Sequence, residues 1–212
     1  MNLQGLTINF LGDSITEGHG CSCDAAKFTS LIASEYGAIT RCYGIGGTRL
    51  ARQAQVSCDP RWDLDFPSRV AEMEEDADLV VVFGGTNDFG HGDAPFGAFD
   101  DRTAETFCGA LHELYTSLLE KYPEAVIMVM TPLHRCGESD PNMHGKILAD
   151  YVSAIRTAAE YYSLPVLDLW AVSGIQPAVS VMKDKYMPDG LHPNDAGHVI
   201  LTNKITKFIE NL

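Results

Sequence analysis

No apolar run in this 212-residue chain approaches the ~20 residues that a membrane-spanning helix needs. Positive charge is scarce as well: 15 Lys and Arg against 29 Asp and Glu leave a formal charge of −14, spread along the chain rather than gathered in a tail. That surplus repels phosphate backbones and anionic lipid, so nucleic acid and membranes are not expected partners. The six cysteines form no CxxC pair and no structural-zinc spacing, and free thiols are expected. The stretch "MNLQGLTINFLGDS" lacks a basic segment followed by an apolar one and a small-residue cleavage site, which reads as a cytoplasmic protein. Pro/Ser-rich linkers, fixed-period repeats and low-complexity tracts are also missing, so residues 1–212 read as a single domain.

What is present is an alternation of short apolar, β-branched runs with longer amphipathic segments. This is the pattern of a parallel sheet covered by helices on both faces, an α/β fold. Strands are expected at Leu6–Leu11, Ile39–Tyr43, Leu79–Phe83, Ala125–Met130 and Pro165–Asp168. "LVVVF" and "AVIMVM" are apolar throughout, as central strands are. Helices are expected at Ala25–Tyr36, about Pro67–Glu75, Ala104–Tyr122, Lys146–Tyr162 and about Asn194–Glu210. In the third, Phe107, Leu111, Leu114 and Leu118 make one apolar face, and His112 reads as a packed or surface residue. The distinctive segments follow strands: "GDSITEGHG", "GIGGTR", "GGTNDFGHGD", "TPLHRCGESD" and, later, "DGLHPND". All belong at the carboxyl edge of a parallel sheet, where open α/β proteins place their sites.

Within "FLGDSITEG", Ser14 with Glu17 three residues on is a capping-box pattern, and on those residues alone a helix cap is the simplest reading. A nucleophile needs a general base, a carboxylate to orient it and N–H donors for an oxyanion. "DGLHPND" offers the first two, because Asp189 and His192 lie on one side of a single turn if the segment curls. For the donors, Gly46 or Gly47 of "GIGGTR" can present a backbone N–H, and Asn87 of "GGTND" a side-chain amide.

In order and spacing, "GDSIT", "GIGGT", "GGTND" and "DGLHPN" resemble the four blocks of the SGNH-hydrolase superfamily, the GDSL esterases and lipases, and the resemblance covers nearly the whole chain. It implies a three-layer α/β/α, flavodoxin-like sandwich with a five-stranded parallel sheet in the order 2-1-3-4-5. It also implies a catalytic triad of Ser14, Asp189 and His192, and an oxyanion hole from Ser14, Gly47 (or adjacent Gly46) and Asn87, with no cofactor or metal. The reaction implied is ester hydrolysis through an acyl-enzyme on Ser14. Segments 90–101, with Phe96 and Phe99, and 136–145 read as a rim over that site, suited to a small acyl group on an acetylated sugar or another polar alcohol. Short-chain lipid and thioester hydrolysis are the alternatives. Two readings of other classes are a metal-dependent hydrolase using His19, Cys21, Cys23, His91 and Asp93, and a non-hydrolytic nucleotide-binding module with "GDSITEG" around a phosphate. The latter is opposed by the missing GxxxxGK[ST] and by Asp13 and Glu17 in the turn.

Overall fold

The computed structural model describes residues 1–212. Its strands β1 (Thr7–Gly12), β2 (Ile39–Gly44), β3 (Leu79–Phe83), β4 (Val126–Met130) and β5 (Val166–Leu167) form one sheet in the order β2-β1-β3-β4-β5. Every pair is parallel, as expected from the sequence rhythm. The register matters for function: Gly12 stands opposite Gly44 on one side and Phe83 on the other. The loops after β1, β2 and β3 therefore leave the sheet at one level, side by side.

Side-chain alternation along the strands divides the core into two halves. Val80 and Val82 of β3 join Ile127 and Val129 of β4 under α5 (Phe107–Lys121) and α6 (Leu148–Tyr161). Leu79, Val81 and Phe83 join Met128 and Met130 under α2 (Phe28–Tyr36) and α9 (Asp195–Glu210). Both faces of "LVVVF" are thus buried, which is why the run contains no polar residue. Each such side chain contributes about 2 kcal/mol by leaving water.

Shorter helices fill the connections: α1 (Ser14–Glu17), α3 (Phe66–Arg69), α4 (Thr86–His91), α7 (Leu169–Val172) and α8 (Ser180–Tyr186). Several expected boundaries move for local reasons. Helix α5 begins at Phe107 because Thr106 is extended and its hydroxyl accepts the Gly109 N–H at 3.1 Å. Helix α2 begins at Phe28 because Asp24–Ala26 forms a 3₁₀ turn and Lys27 is extended. The helix expected over 67–75 is only α3 followed by a 3₁₀ turn at Val70–Glu72, ended by extended Met73. β5 stops at Leu167 because Asp168 turns to cap α7. No helix is long and apolar enough to cross a membrane.

Candidate active site

The first loop is tight. A Cβ on Gly12 would meet the Thr16 hydroxyl at 2.0 Å, so the strand turns directly into α1 only with glycine there. Here the capping expectation is corrected: Asp13, not Ser14, caps the helix, its Oδ1 accepting the Ile15 N–H at 3.0 Å. Burial pushes Asp13 up to about 7, against the Ile15 N–H bond. Glu17 does not close a capping box either. Its Oε2 accepts the Gly46 N–H at 2.6 Å and its Oε1 the Arg61 Nη2 at 2.7 Å. The Ser14 hydroxyl is left to face the cleft.

There Ser14 Oγ lies 2.9 Å from His192 Nε2, and His192 Nδ1 lies 2.7 Å from Asp189 Oδ2. The other Asp189 oxygen accepts the N–H groups of Leu191 at 2.8 Å and His192 at 2.7 Å, so the carboxylate is locked by its own turn. Gly190 supplies the positive φ of +80° that closes it. Burial would raise the Asp189 carboxyl, but these bonds outweigh it and hold the group below its ordinary value. Burial lowers the His192 imidazole against the opposing pull of Asp189, with His19 and Arg135 adding to the lowering. A neutral imidazole is therefore favoured near neutrality, as a proton acceptor must be.

Asp-x-x-His spacing is not unique to this loop, since Asp88 and His91 share it and so do Asp195 and His198. In those pairs the partners face elsewhere. Asp88 accepts the N–H groups of Leu50 and Ala51 at 3.0 and 2.9 Å, and the His198 ring accepts the Phe28 N–H at 3.1 Å. His112 is packed, 3.0 Å from the Tyr162 hydroxyl.

Ser14, Gly47 and Asn87 line the same cleft and each has a polar hydrogen without a partner in the chain. The Gly46 N–H is taken by Glu17, whereas the Gly47 N–H makes no hydrogen bond within the chain. Asn87, 4 % exposed, donates one amide hydrogen to Thr48 O at 2.9 Å and keeps the other. The Ser14 N–H opens α1 and has no helical acceptor. Ser14, Gly47, Asn87 and His192 line one open cleft of about 360 Å³.

Buried arginines hold this arrangement together. Arg69 donates to Gly12 O, Tyr43 O and Thr48 Oγ1, tying the ends of β1 and β2 to the loop that bears Gly47. Burial lowers its guanidinium to about 10, which leaves it charged at neutral pH. Arg49 bridges Ser57 Oγ, Trp62 O, Asp63 Oδ1 and the His91 ring at 2.7–3.2 Å, setting two walls of the cleft.

Those walls are Glu17, Arg61, Trp62 and His91, with His19 and Leu191 at the mouth. No sequence pattern marks these residues as walls; an indole in the polar stretch "DPRWD" is the one signal that points there. Trp62 lies over Gly47, where a Cβ would meet its ring at 2.3 Å and the backbone φ is +77°. The rim expected from Phe96 and Phe99 is corrected: Phe96 packs on Phe107 and Tyr151, with centroids at 5.7 and 5.0 Å. Phe99 packs on His112 and Tyr161, at 4.8 and 5.8 Å. Both are drawn onto α5 and α6, away from Ser14. Segment 136–145 lies behind the Asp189–His192 turn, its Cys136 N–H donating to Gly190 O at 2.8 Å. All six cysteines are free thiols. The metal set of His19, Cys21, Cys23, His91 and Asp93 does not gather either. Asp93 accepts the N–H groups of Ala54 and Gln55, and burial pushes the Cys21 thiol up to about 11, away from the thiolate that binds metal.

Residues 10–200 match the sequence profile of the GDSL-like lipase/acylhydrolase family. The chain belongs to that family. Among solved structures, this GDSL-family chain superposes on a protein from Lactobacillus plantarum with a TM-score of 0.85, 29% identity and 98% of each chain covered. An acetyl xylan esterase from Geobacillus stearothermophilus has the same fold, with a TM-score of 0.65, 22% identity, and 99% of this chain and 97% of that one covered. A GDSL lipase from Mycobacterium tuberculosis is 28% identical over 137 residues, 65% of this chain and 52% of its own. The chain thus spans about half the length of that curated relative.

Proposed function

We propose that this GDSL-family chain is a serine esterase that releases a small, acetyl-like acyl group through an acyl-enzyme on Ser14. The observation that carries the reading is the continuous chain from Ser14 Oγ through His192 to Asp189, at 2.9 and 2.7 Å, in one cleft with unspent donors. His192 takes the Ser14 proton as the hydroxyl oxygen attacks the ester carbonyl, while Asp189 holds the imidazole tautomer and stabilises the imidazolium. The N–H groups of Ser14 and Gly47 and the free Asn87 amide hydrogen receive the negative oxygen of the tetrahedral intermediate. His192 then protonates the leaving alcohol, and water repeats the sequence on the acyl-serine to return the free enzyme and a carboxylic acid.

The cleft walls support the proposed substrate class. Only Trp62 and Leu191 among the eleven lining residues are apolar, and the cleft is open, so it offers no tunnel for a long acyl chain. An indole face beside Arg61, Glu17 and His91 suits a hydroxyl-rich ring, apolar on its faces and polar at its edge, and an acetylated carbohydrate is the substrate class proposed. The test is product release from acetylated sugars, longer acyl esters and acyl thioesters, with Ser14→Ala as the control. Ser14→Ala should abolish release from all three. Wild-type-level release by that variant sinks the mechanism, and faster turnover of longer acyl esters or of thioesters moves the substrate to lipid or thioester.

A further inference from the structure

His19 stacks on the proposed base, with ring centroids 4.2 Å apart and planes inclined by 58°. One ring nitrogen of His19, one of His192 and a carboxylate oxygen of Asp189 all lie within 4.8 Å of one another. Two imidazoles and a carboxylate are a ligand set that zinc-type ions favour, and a hard ion such as Mg²⁺ is poorly served by it. A tetrahedral ion with bonds of about 2.0–2.2 Å wants its ligand atoms roughly 3.5 Å apart. His19 is exposed at the cleft mouth, so its ring can close the difference. The fourth position then faces the open cleft and water. The net charge favours a cation, although Arg135, whose charge reaches His192, opposes it locally. The chain carries −14, and Arg61, the cation on the cleft wall, is already paired with Glu17.

We infer that His19, Asp189 and His192 form a binding site for a divalent transition ion of the zinc type, which reversibly shuts the esterase. The consequence follows from how both His192 nitrogens are employed. Nε2 faces Ser14 and Nδ1 faces Asp189, so a metal on either one removes a contact the base depends on. On Nε2 the ion takes the lone pair that would accept the Ser14 proton; on Nδ1 it requires the proton there to move to Nε2 or to solvent, and no oxidant or other reactant is needed. The ion is an inhibitor held by the triad and one additional histidine, distinct from a catalytic metal. The site is independent of the proposed chemistry, whereas its inhibitory effect rests on that reading.

The experiment pairs calorimetric titration of zinc chloride into metal-free protein with esterase rates at the same free zinc, for wild type, His19→Gln and Cys21→Ser/Cys23→Ser. Wild type should bind one ion, lose activity with the same midpoint and recover it on adding a chelator. Mg²⁺ should do neither. In His19→Gln the zinc midpoint, relative to that variant's own basal rate, should rise by about tenfold or more, since even groups that only support a metal ligand are worth about that much. The cysteine variant should follow wild type. Equal zinc sensitivity in wild type and His19→Gln, loss of sensitivity in the cysteine variant, or no binding by wild type in the millimolar range each overturns the site. One-ion binding that depends on His19 but leaves turnover unchanged upholds the site and instead refutes the catalytic role of His192.

Discussion

Replacing Asn87 with alanine tests the proposed oxyanion hole apart from the rest of the proposed machinery, because the side chain hydrogen-bonds neither His192 nor Asp189 and its two amide hydrogens can be read apart. One amide hydrogen holds Thr48 O at 2.9 Å in a buried setting, and the other faces the cleft. Losing the second removes one of the three donors proposed for the developing oxyanion. Such a donor is worth about 3 kcal/mol in the transition state, or roughly a hundredfold in kcat. The ester carbonyl of the ground state gains little from it, so KM should stay within about twofold. Losing the bond to Thr48 costs about 1 kcal/mol of stability, which for a chain of this size is about 2–4 °C in Tm. Initial rates on p-nitrophenyl acetate at 25 °C, beside thermal unfolding of the same samples, read both quantities. Asn87→Asp should be slower still, because it retains the bulk but sets a negative charge where the oxyanion forms. A kcat for Asn87→Ala within about threefold of wild type, or a loss that merely tracks the unfolded fraction, would refute the assignment of Asn87 as a donor.

The acid limb of kcat/KM should reflect His192, which must be neutral to accept the Ser14 proton: activity rises with pH through a midpoint below the ordinary histidine value of 6.5 and levels off above it, and a midpoint above that value contradicts the buried base. Asp189→Asn should lower kcat by on the order of 10³–10⁴-fold, since the amide no longer holds the tautomer that leaves Nε2 free; a loss under about tenfold rules Asp189 out as the orienting group. Stability should also report Asp13, whose carboxyl burial raises from 3.8 to about 7. A raised carboxyl favours the protonated folded chain, so its contribution is complete below about pH 4 and is lost as pH climbs through 7. Asp13→Asn keeps a capping oxygen without the charge, and its urea midpoint relative to wild type should therefore increase from pH 5 to pH 8; a pH-independent difference counts against a buried, titrating Asp13.

What was legible in the sequence and what was not divide along a physical line. "LVVVF" announced a central strand because a strand covered on both faces has no position for a polar residue, and the parallel order followed from strands alternating with helices. That Ser14, Gly47 and Asn87 share one sheet edge was legible because each follows a strand within a few residues, Ser14 and Asn87 in the short helices α1 and α4 and Gly47 in the loop after β2. The i, i+3 spacing of Asp189 and His192 was a weaker sign, since Asp88–His91 and Asp195–His198 repeat it; only the folded chain shows which pair closes on itself. The cap was misplaced by one residue because Asp13 and Ser14 are both good caps and the choice depends on the angle at which β1 enters α1. Phe96 and Phe99 were misplaced because a glycine-rich flank looks mobile, while burial on α5 and α6 outweighs local flexibility. The walls were the least legible part. Trp62 and His91 reach the cleft only because buried Arg49 fastens the segment around residues 57–63 to the end of α4, a long-range connection with no period to read. The residues proposed to break the ester thus follow strand ends or lie in the Asp189–His192 turn, whereas Arg61 and Trp62, proposed to help choose it, sit on a loop fastened by Arg49 and by the Arg61–Glu17 pair. Substitutions in 57–63 that spare Arg49's partners are therefore the changes able to alter substrate preference while leaving the triad and its donors in place.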